Sequence, residues 1–536
     1  MSHEGRPWPR SGPGVGISLL VFLASAVYLQ SFAAYGFNIR DEWVVPHGAI
    51  RVLGGEVPWK DFQGYAPGPY YLHALAFRLF GPHLSVARTL AVLLTAVMVV
   101  LVIQACTRLM SRPFAWLAGF LLLLAPGVYY GRYINFFSLL CILTFFRALG
   151  GRGGDVVLLG IVTGLTTLFR QDLGLLVLGA GAFCLLIGPS RPSPPGLRER
   201  AAPLLPFLAG AALVFLPWGI YYWAHSRLGY ILRFHWNALA GGYQRMSLPY
   251  PGLGELLVDG RWGEAVVFYG PPLVLLTAIG VLLQRYWSRR DDTNTLRVLF
   301  VTLVAGGMFH QAFWRTSMEN HVKVIAPILV LACLLLWLGA RALRRLGVDH
   351  PRLWPLAILG GLVLLALPAL YVREALFSPV RFYVGAPSVL RDELVELKLP
   401  GGSVYAPPYW AAPTEQAARY IRAHTSPGEP IFVIPFAPML YVLTDRPNPS
   451  YFEWVLPAEP AVYPDLEPRI LADLERARPR YVVFEDFPLD RREDRRFRHY
   501  APALARYITD RYRLEAKFED HEVYYQILRR RDGPVP

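Results

Sequence analysis

Residues 16–42 read GISLLVFLASAVYLQSFAAYGFNIRDE: an apolar run to about Tyr35, a short polar step, then the acidic pair Asp41-Glu42. About 20 mostly apolar residues is the length at which a helix crosses the hydrocarbon core of a bilayer. The pair therefore meets water a few residues from the lipid surface. A carboxylate there is placed to act as a base on a substrate whose other end stays in lipid. The plainer alternative is a solvated loop charge. Arg6 and Arg10 precede the run, and Ala24-Ser25-Ala26 inside it could pass for a signal-peptidase site. The run continues beyond that site, which favours an uncleaved first span over a removed leader.

The rest of the chain agrees with a membrane setting. Its 536 residues are 54% hydrophobic and 17% charged, with mean hydropathy +0.33. Soluble domains carry about a quarter charged residues. The net charge of +14 does not point to nucleic acid. The arginines cluster in short loops between apolar runs, where membrane topology accounts for them. Cys106, Cys141, Cys184 and Cys333 fall in or beside apolar runs, without metal or redox spacing, and read as small buried hydrophobes.

About eleven apolar runs are long enough to be considered as spans: near 16–35, 85–107, 114–130, 133–149, 155–170, 172–188, 203–224, 264–286, 297–313, 323–343 and 353–372. With the N-terminus inside, the inner loops hold Arg108 and Arg112, Arg147 and Arg152, Arg198 and Arg200, Arg285 and Arg289, and Arg341 and Arg344. This follows the positive-inside rule. The outer side then carries a first loop at 36–84, the Gln171-Asp172 turn, a second long loop at 225–263, the segment 314–322, and a tail from about Phe377. Tyr70–Phe80 and Tyr230–Tyr243 are amphipathic and suit interfacial helices or plain loop.

The tail is charged and Pro-rich. Helices are expected at Thr414–His424, Ile470–Ala477 and Ala503–Arg511. Strands are expected at Pro430–Pro435 and Tyr481–Phe484, with a hairpin from Glu515–Phe518 and Glu522–Leu528. Alternating helix and strand indicates a small α/β domain. The expected architecture is an α-helical polytopic membrane domain over 1–376, with external loops 36–84 and 225–263, followed by an extracytoplasmic α/β domain over 377–536.

Polar residues gather at the outer ends of several runs. Ionisable groups at membrane depth are costly and default to functional or paired roles. Arg170 and Asp172 flank a very short turn; they either contact substrate or close a helical hairpin as an ion pair. Arg315, Glu319 and His321 are spaced four and two apart. On a helix Arg315 and Glu319 share a face, and a loop salt bridge is the alternative to a substrate contact. Glu319 with His321 lacks a strong metal-ligand spacing, so no metal site is assigned, no cofactor is named, and a divalent metal is left open. His47, Lys60, Tyr65 and Tyr70 in the first loop are candidates to line a polar pocket, whereas Glu56 and Asp61 read as solvated charges.

These segments carry a resemblance. Asp41-Glu42, Gly55-x-x-Pro58, Lys60-Asp61-Phe62 and Tyr65-x-Pro67-Gly68-Pro69-Tyr70 look like the first external loop of bacterial GT-C-fold glycosyltransferases. These are relatives of protein O-mannosyltransferase and of the aminoarabinose transferase of lipid A, and are glycosyltransferase family 39-like. Phe169-Arg170-Gln171-Asp172-x-Gly174, Arg315-Thr-Ser-Met-Glu319-Asn-His321 and Tyr441-x-Leu443-Thr444-x-Arg446-Pro447-x-Pro449 are similar to further segments of that family. Many relatives carry Asp where Glu319 stands, and Lys-Pro-Pro in place of Ala66-Pro67-Gly68-Pro69.

The resemblance implies a polyprenyl-phosphate sugar donor, a lipid, glycan or protein acceptor, and a multi-pass protein of the bacterial cytoplasmic membrane working at its outer face. A weakly nucleophilic acceptor hydroxyl needs a positioned base; Asp41 takes that role, with Glu42 as helper. Arg170, Arg315 and Lys60 are candidates for the donor phosphate. Asp172, Glu319, His321, His47, Tyr65 and Tyr70 are candidates for other substrate contacts. The rival is a transporter or lipid flippase. It suits the spans but not the absence of an internal repeat, nor polar residues that lie at the boundary rather than mid-span.

Overall fold

The computed structural model describes residues 12–31, 33–35, 40–124, 132–188, 196–225, 227–288, 292–316, 320–321, 323–345, 394–520 and 523–531. The run near 353–372 and the boundary at 376/377 lie outside the described residues. Two compact units are present. One comprises Met1–Ala33, Thr89–Trp218 and Leu248–Gly385; the other comprises Ala34–Arg88, Gly219–Ser247 and Ala386–Pro536.

The first unit is built from apolar helices. Among the described residues five helices are long and apolar enough to cross a membrane, including Leu84–Thr107, Thr293–Trp314 and Ile325–Arg344; shorter apolar helices include Gly153–Phe169 and Gln171–Ile187. Their packing relies on small residues and a few polar ties. Gly160 and Gly210 let the Gly153–Phe169 and Leu204–Ala224 helices meet at backbone distance, since a Cβ on Gly160 would stand 2.1 Å from the Phe207 carbonyl oxygen. Small residues at helix crossings are how membrane helices gain contact without a hydrophobic driving force. Buried Asn135 accepts the Ala326 N–H at 3.0 Å, satisfying a donor at the start of the Ile325–Arg345 helix.

The second unit contains the sheet. β1 (Val395–Leu399) and β2 (Gly402–Ala406) form a hairpin; β3 (Ile431–Ile434), β4 (Tyr481–Phe484), β5 (Tyr512–Asp520) and β6 (Val523–Arg530) form a sheet in the order β3-β4-β6-β5. β3 and β4 are parallel with Ile431 opposite Tyr481, whereas β4–β6 and β5–β6 are antiparallel. The expected tail elements are present, with the first two helices longer, at Pro408–His424 and Leu466–Ala477. Ile431, Val433, Tyr481, Val483, Tyr525 and Ile527 form its core together with Trp43 and Leu84 from early in the chain.

This unit draws on both ends of the sequence. Tyr405 donates its N–H to the Ala34 carbonyl at 2.8 Å, and Tyr35 stacks on Tyr405. The Gln63 amide oxygen accepts the N–H groups of Glu453 and Trp454, at 3.0 and 3.2 Å. The structural grouping therefore joins residues 34–88 and 219–247 to the tail, where the sequence reading attaches the loops to the spans. The loop lacks a spanning run but folds the helix Val44–Leu53, and this helix needs apolar cover. Val44 finds it against Phe436 and Trp454.

Candidate active site

The acidic pair sits on a turn leading into the Val44–Leu53 helix. Asp41 is partly exposed, and its carbonyl accepts the Val44 N–H at 3.3 Å. Its neighbours fix the turn on both sides. Trp43 is fully buried. Glu42 is buried and accepts from Arg88 Nε at 2.6 Å and Nη2 at 2.9 Å. Arg88 is itself 2% exposed. Such a two-pronged arrangement is the geometry in which Arg and a carboxylate match best. Removing one partner of a buried pair costs about 3–5 kcal/mol, because the other charge is stranded. The carboxylate of Glu42 thus anchors the turn that presents Asp41.

One helical turn further, His47 Nδ1 lies 2.8 Å from Glu453 Oε2 and its ring stacks on Tyr441. Arg51 also bonds Glu453, and reaches Glu56 with Nε at 2.9 Å. Burial by itself raises the Glu453 carboxyl, but the charges of His47 and Arg51 and their hydrogen bonds overturn this and hold it down at about 2. His47 therefore faces the tail, in a link that the sequence could not show across 406 positions. Glu56, read as a solvated charge, is a partner of Arg51.

Lys60 is about one-third exposed, with Nζ 3.8 Å from Asp61. Tyr65 is exposed on one side and stacks on Trp454 with ring centres 5.0 Å apart. Tyr70 is buried; its hydroxyl accepts the Tyr65 N–H at 2.9 Å. A Cβ on Gly48 would stand 2.4 Å from the Tyr70 ring, so glycine is what lets the helix approach. Tyr70 shapes the loop, while Tyr65 offers a face.

In the first unit Arg170 is extended, at φ −156° and ψ 101°, and separates two helices. Its Nε and Nη2 donate to the two Asp172 oxygens at 2.8 and 3.0 Å. Nη2 also donates to the Gln311 oxygen at 2.9 Å, and the Gln311 amide donates back to Asp172. The ion pair anticipated at this turn forms and is tied to the Thr293–Trp314 helix, yet Arg170 and Asp172 side chains remain 37% and 39% exposed. Gln311 is absent from the sequence candidates. Its signal is a polar side chain one helical turn before Arg315.

Arg315 ends that helix, and its carbonyl accepts from Asn320 Nδ2 at 2.7 Å. His321 is buried among Phe268, Phe309 and Tyr250, with Nε2 3.5 Å from the Tyr250 hydroxyl. Glu319 lies outside the described residues. Lys323, also missed, donates to Asn320 at 2.9 Å. Among the described residues no three His, Cys, Asp or Glu side chains are grouped to hold a metal ion.

A family model for dolichyl-phosphate-mannose-protein mannosyltransferase matches residues 65–221, which include the Tyr65–Tyr70 and Arg170–Asp172 motifs. The structure is similar to ArnT from Cupriavidus metallidurans bound to undecaprenyl phosphate: 14% identity, TM-score 0.54, covering 96% of this chain and 98% of that one. The apo form of that protein matches at 15% identity and TM-score 0.54, covering 95% and 97%. The oligosaccharyltransferase of Archaeoglobus fulgidus, in complex with Zn and sulfate, matches at 13% identity and TM-score 0.50, covering 86% and 67%. No curated protein matches the chain. At these identities the likeness is one of fold, and the expected GT-C fold, mostly helical with a small C-terminal sheet, is borne out.

Proposed function

We propose that the chain is a membrane glycosyltransferase that moves a sugar from a polyprenyl-phosphate carrier to a lipid, glycan or protein hydroxyl at the outer face of the bacterial cytoplasmic membrane. The observation that carries the reading is Asp41: a partly exposed carboxylate on a turn pinned by the buried Glu42–Arg88 pair and by Trp43. A base must be held in place to contribute, and a general base is worth about 10²–10⁴ in rate. The match to the mannosyltransferase model and the fold shared with ArnT support the carrier-linked donor.

In the proposed reaction the acceptor oxygen attacks the anomeric carbon as Asp41 takes its proton. The bond from that carbon to the phosphate oxygen breaks, and the carrier phosphate leaves with the electron pair. A single displacement inverts the anomeric centre. Cations stabilise the charge that develops on phosphate. Arg170, Arg315 and Lys60 are the proposed contacts, with Asp172 and Gln311 holding the plane of the Arg170 guanidinium. Glu42 is proposed as a positioning residue through the turn.

Asp41→Asn should insert and melt like the parent but lose transfer by about 10²–10⁴. The assay is sugar release from a purified polyprenyl-phosphate sugar series by the chain in nanodiscs. Unchanged turnover by this variant would remove Asp41 from the mechanism.

A further inference from the structure

The second unit buries four glutamates among its described residues: Glu42, Glu453, Glu459 and Glu485. Three have donors. Arg88 serves Glu42, and His47 and Arg51 serve Glu453. Glu459 accepts from Trp454 Nε1 at 3.1 Å and from the Leu456 N–H at 2.8 Å. Glu485 differs. Both carboxyl oxygens are buried and neither accepts a hydrogen bond. The Arg40 guanidinium stops 3.9 Å away, lying over the Phe487 ring. At that distance the two groups form an ion pair but not a hydrogen bond. A buried carboxyl with no donor needs an explanation, because native structures rarely leave one unsatisfied.

The location suggests the explanation. Glu485 directly follows β4, and its N–H donates to the Ile434 carbonyl at the end of the parallel strand β3, at 2.9 Å. The space beyond the carboxyl ends of parallel strands is where α/β sheets take ligands. Arg40 adjoins Asp41 in the chain. Trp43, two residues past Asp41, holds a buried indole N–H that also lacks an acceptor. Burial pushes the Glu485 carboxyl up to about 7, against the opposing charge of Arg40. The carboxyl offers acceptor oxygens, which suit a hydroxyl donor.

We propose that Glu485 accepts a hydrogen bond from a hydroxyl of the glycosyl substrate at the Arg40–Asp41 turn, so that the C-terminal part of the chain contributes directly to substrate binding. The inference rests on the glycosyl-transfer reading. Both the carrier-linked sugar and the acceptor carry such hydroxyls, and the experiment separates them.

The full chain in nanodiscs is titrated with undecaprenyl phosphate and with undecaprenyl-phosphate mannose. Transfer is followed with methyl α-mannoside as acceptor. Glu485→Gln keeps the volume; Glu485→Ala removes the group. Both variants should melt like the parent and bind bare undecaprenyl phosphate equally well. If the hydroxyl belongs to the donor, the affinity of Glu485→Ala for the mannosyl carrier falls about three- to tenfold, the loss expected for one net hydrogen bond, and Glu485→Gln, whose amide oxygen still accepts, loses less. If it belongs to the acceptor, donor affinity holds and the acceptor KM rises by that factor. Glu485→Ala within twofold of the parent throughout, variants that lose bare carrier equally, or variants that both fail to fold each overturn the proposal. A parent chain that neither prefers a glycosylated carrier nor transfers sugar with any member of the polyprenyl-phosphate sugar series overturns the underlying reading instead, a result visible without any variant.

Discussion

Glu453 shows how much a single buried acid depends on its neighbours. Its ordinary pKa is 4.5, and in the fold it lies at about 2. A depressed carboxylate contributes stability that is present above the unfolded value and lost as pH falls through the folded one. The window is therefore from about 4.5 down to about 2, and the contribution is about 3 kcal/mol. Melting temperature of the purified chain should fall across that window, and Glu453→Gln should both lower it at pH 7 and flatten the fall. Parallel curves for parent and variant would show that the His47–Glu453–Arg51 link carries no such stability. Asp41-Glu42 was legible as a pair because it interrupts apolar sequence. The division of labour within the pair was not, because the partner of Glu42 stands 46 residues on.

Elements were legible where their signal was local. β4 has the expected bounds, Tyr481–Phe484, and the helix ending at Arg511 begins at Pro502, a residue suited to a first turn. The hairpin of β1 and β2 is not among the expected elements, although Val-Glu-Leu-Lys-Leu alternates and Pro400-Gly401 makes the turn. The Val44–Leu53 helix is hidden by Pro46 and Gly48, and its formation depends on tertiary cover. Helix crossings are legible least of all, because a glycine in an apolar run does not state what it faces. Gly160 faces the Phe207 carbonyl, whereas nothing lies within 4 Å of a Cβ on Gly179. Gly160→Ala should therefore destabilise by about 1–3 kcal/mol through overpacking. Gly179→Ala should be neutral or slightly stabilising, since alanine favours helix. Melts of the two single variants in one detergent compare them directly; equal melting temperatures would mean that the close crossing is dispensable.

For the whole molecule, composition disclosed the membrane setting and the motifs disclosed the fold, but not which distant segments join. Gln63 meeting Glu453 and Trp454 is one of many contacts across nearly 400 residues, and no local pattern announces it. Sidedness, by contrast, is a property the sequence does address. Arg147 and Arg152 bracket one short connection, with Arg147 paired to Asp155 at 2.9 Å, and Arg198 and Arg200 precede the Leu204–Ala224 helix. Inner loops retain such charge. Arg200 should then face the cytoplasm, and Arg419, with its side chain 70% exposed, should face outward. All four native cysteines are buried, so introduced ones report cleanly. In intact cells a membrane-impermeant maleimide should label Arg419→Cys at once. Arg200→Cys should react only after permeabilisation. Labelling in the reverse order would invert the topology and, with it, the side of the membrane on which Asp41 works.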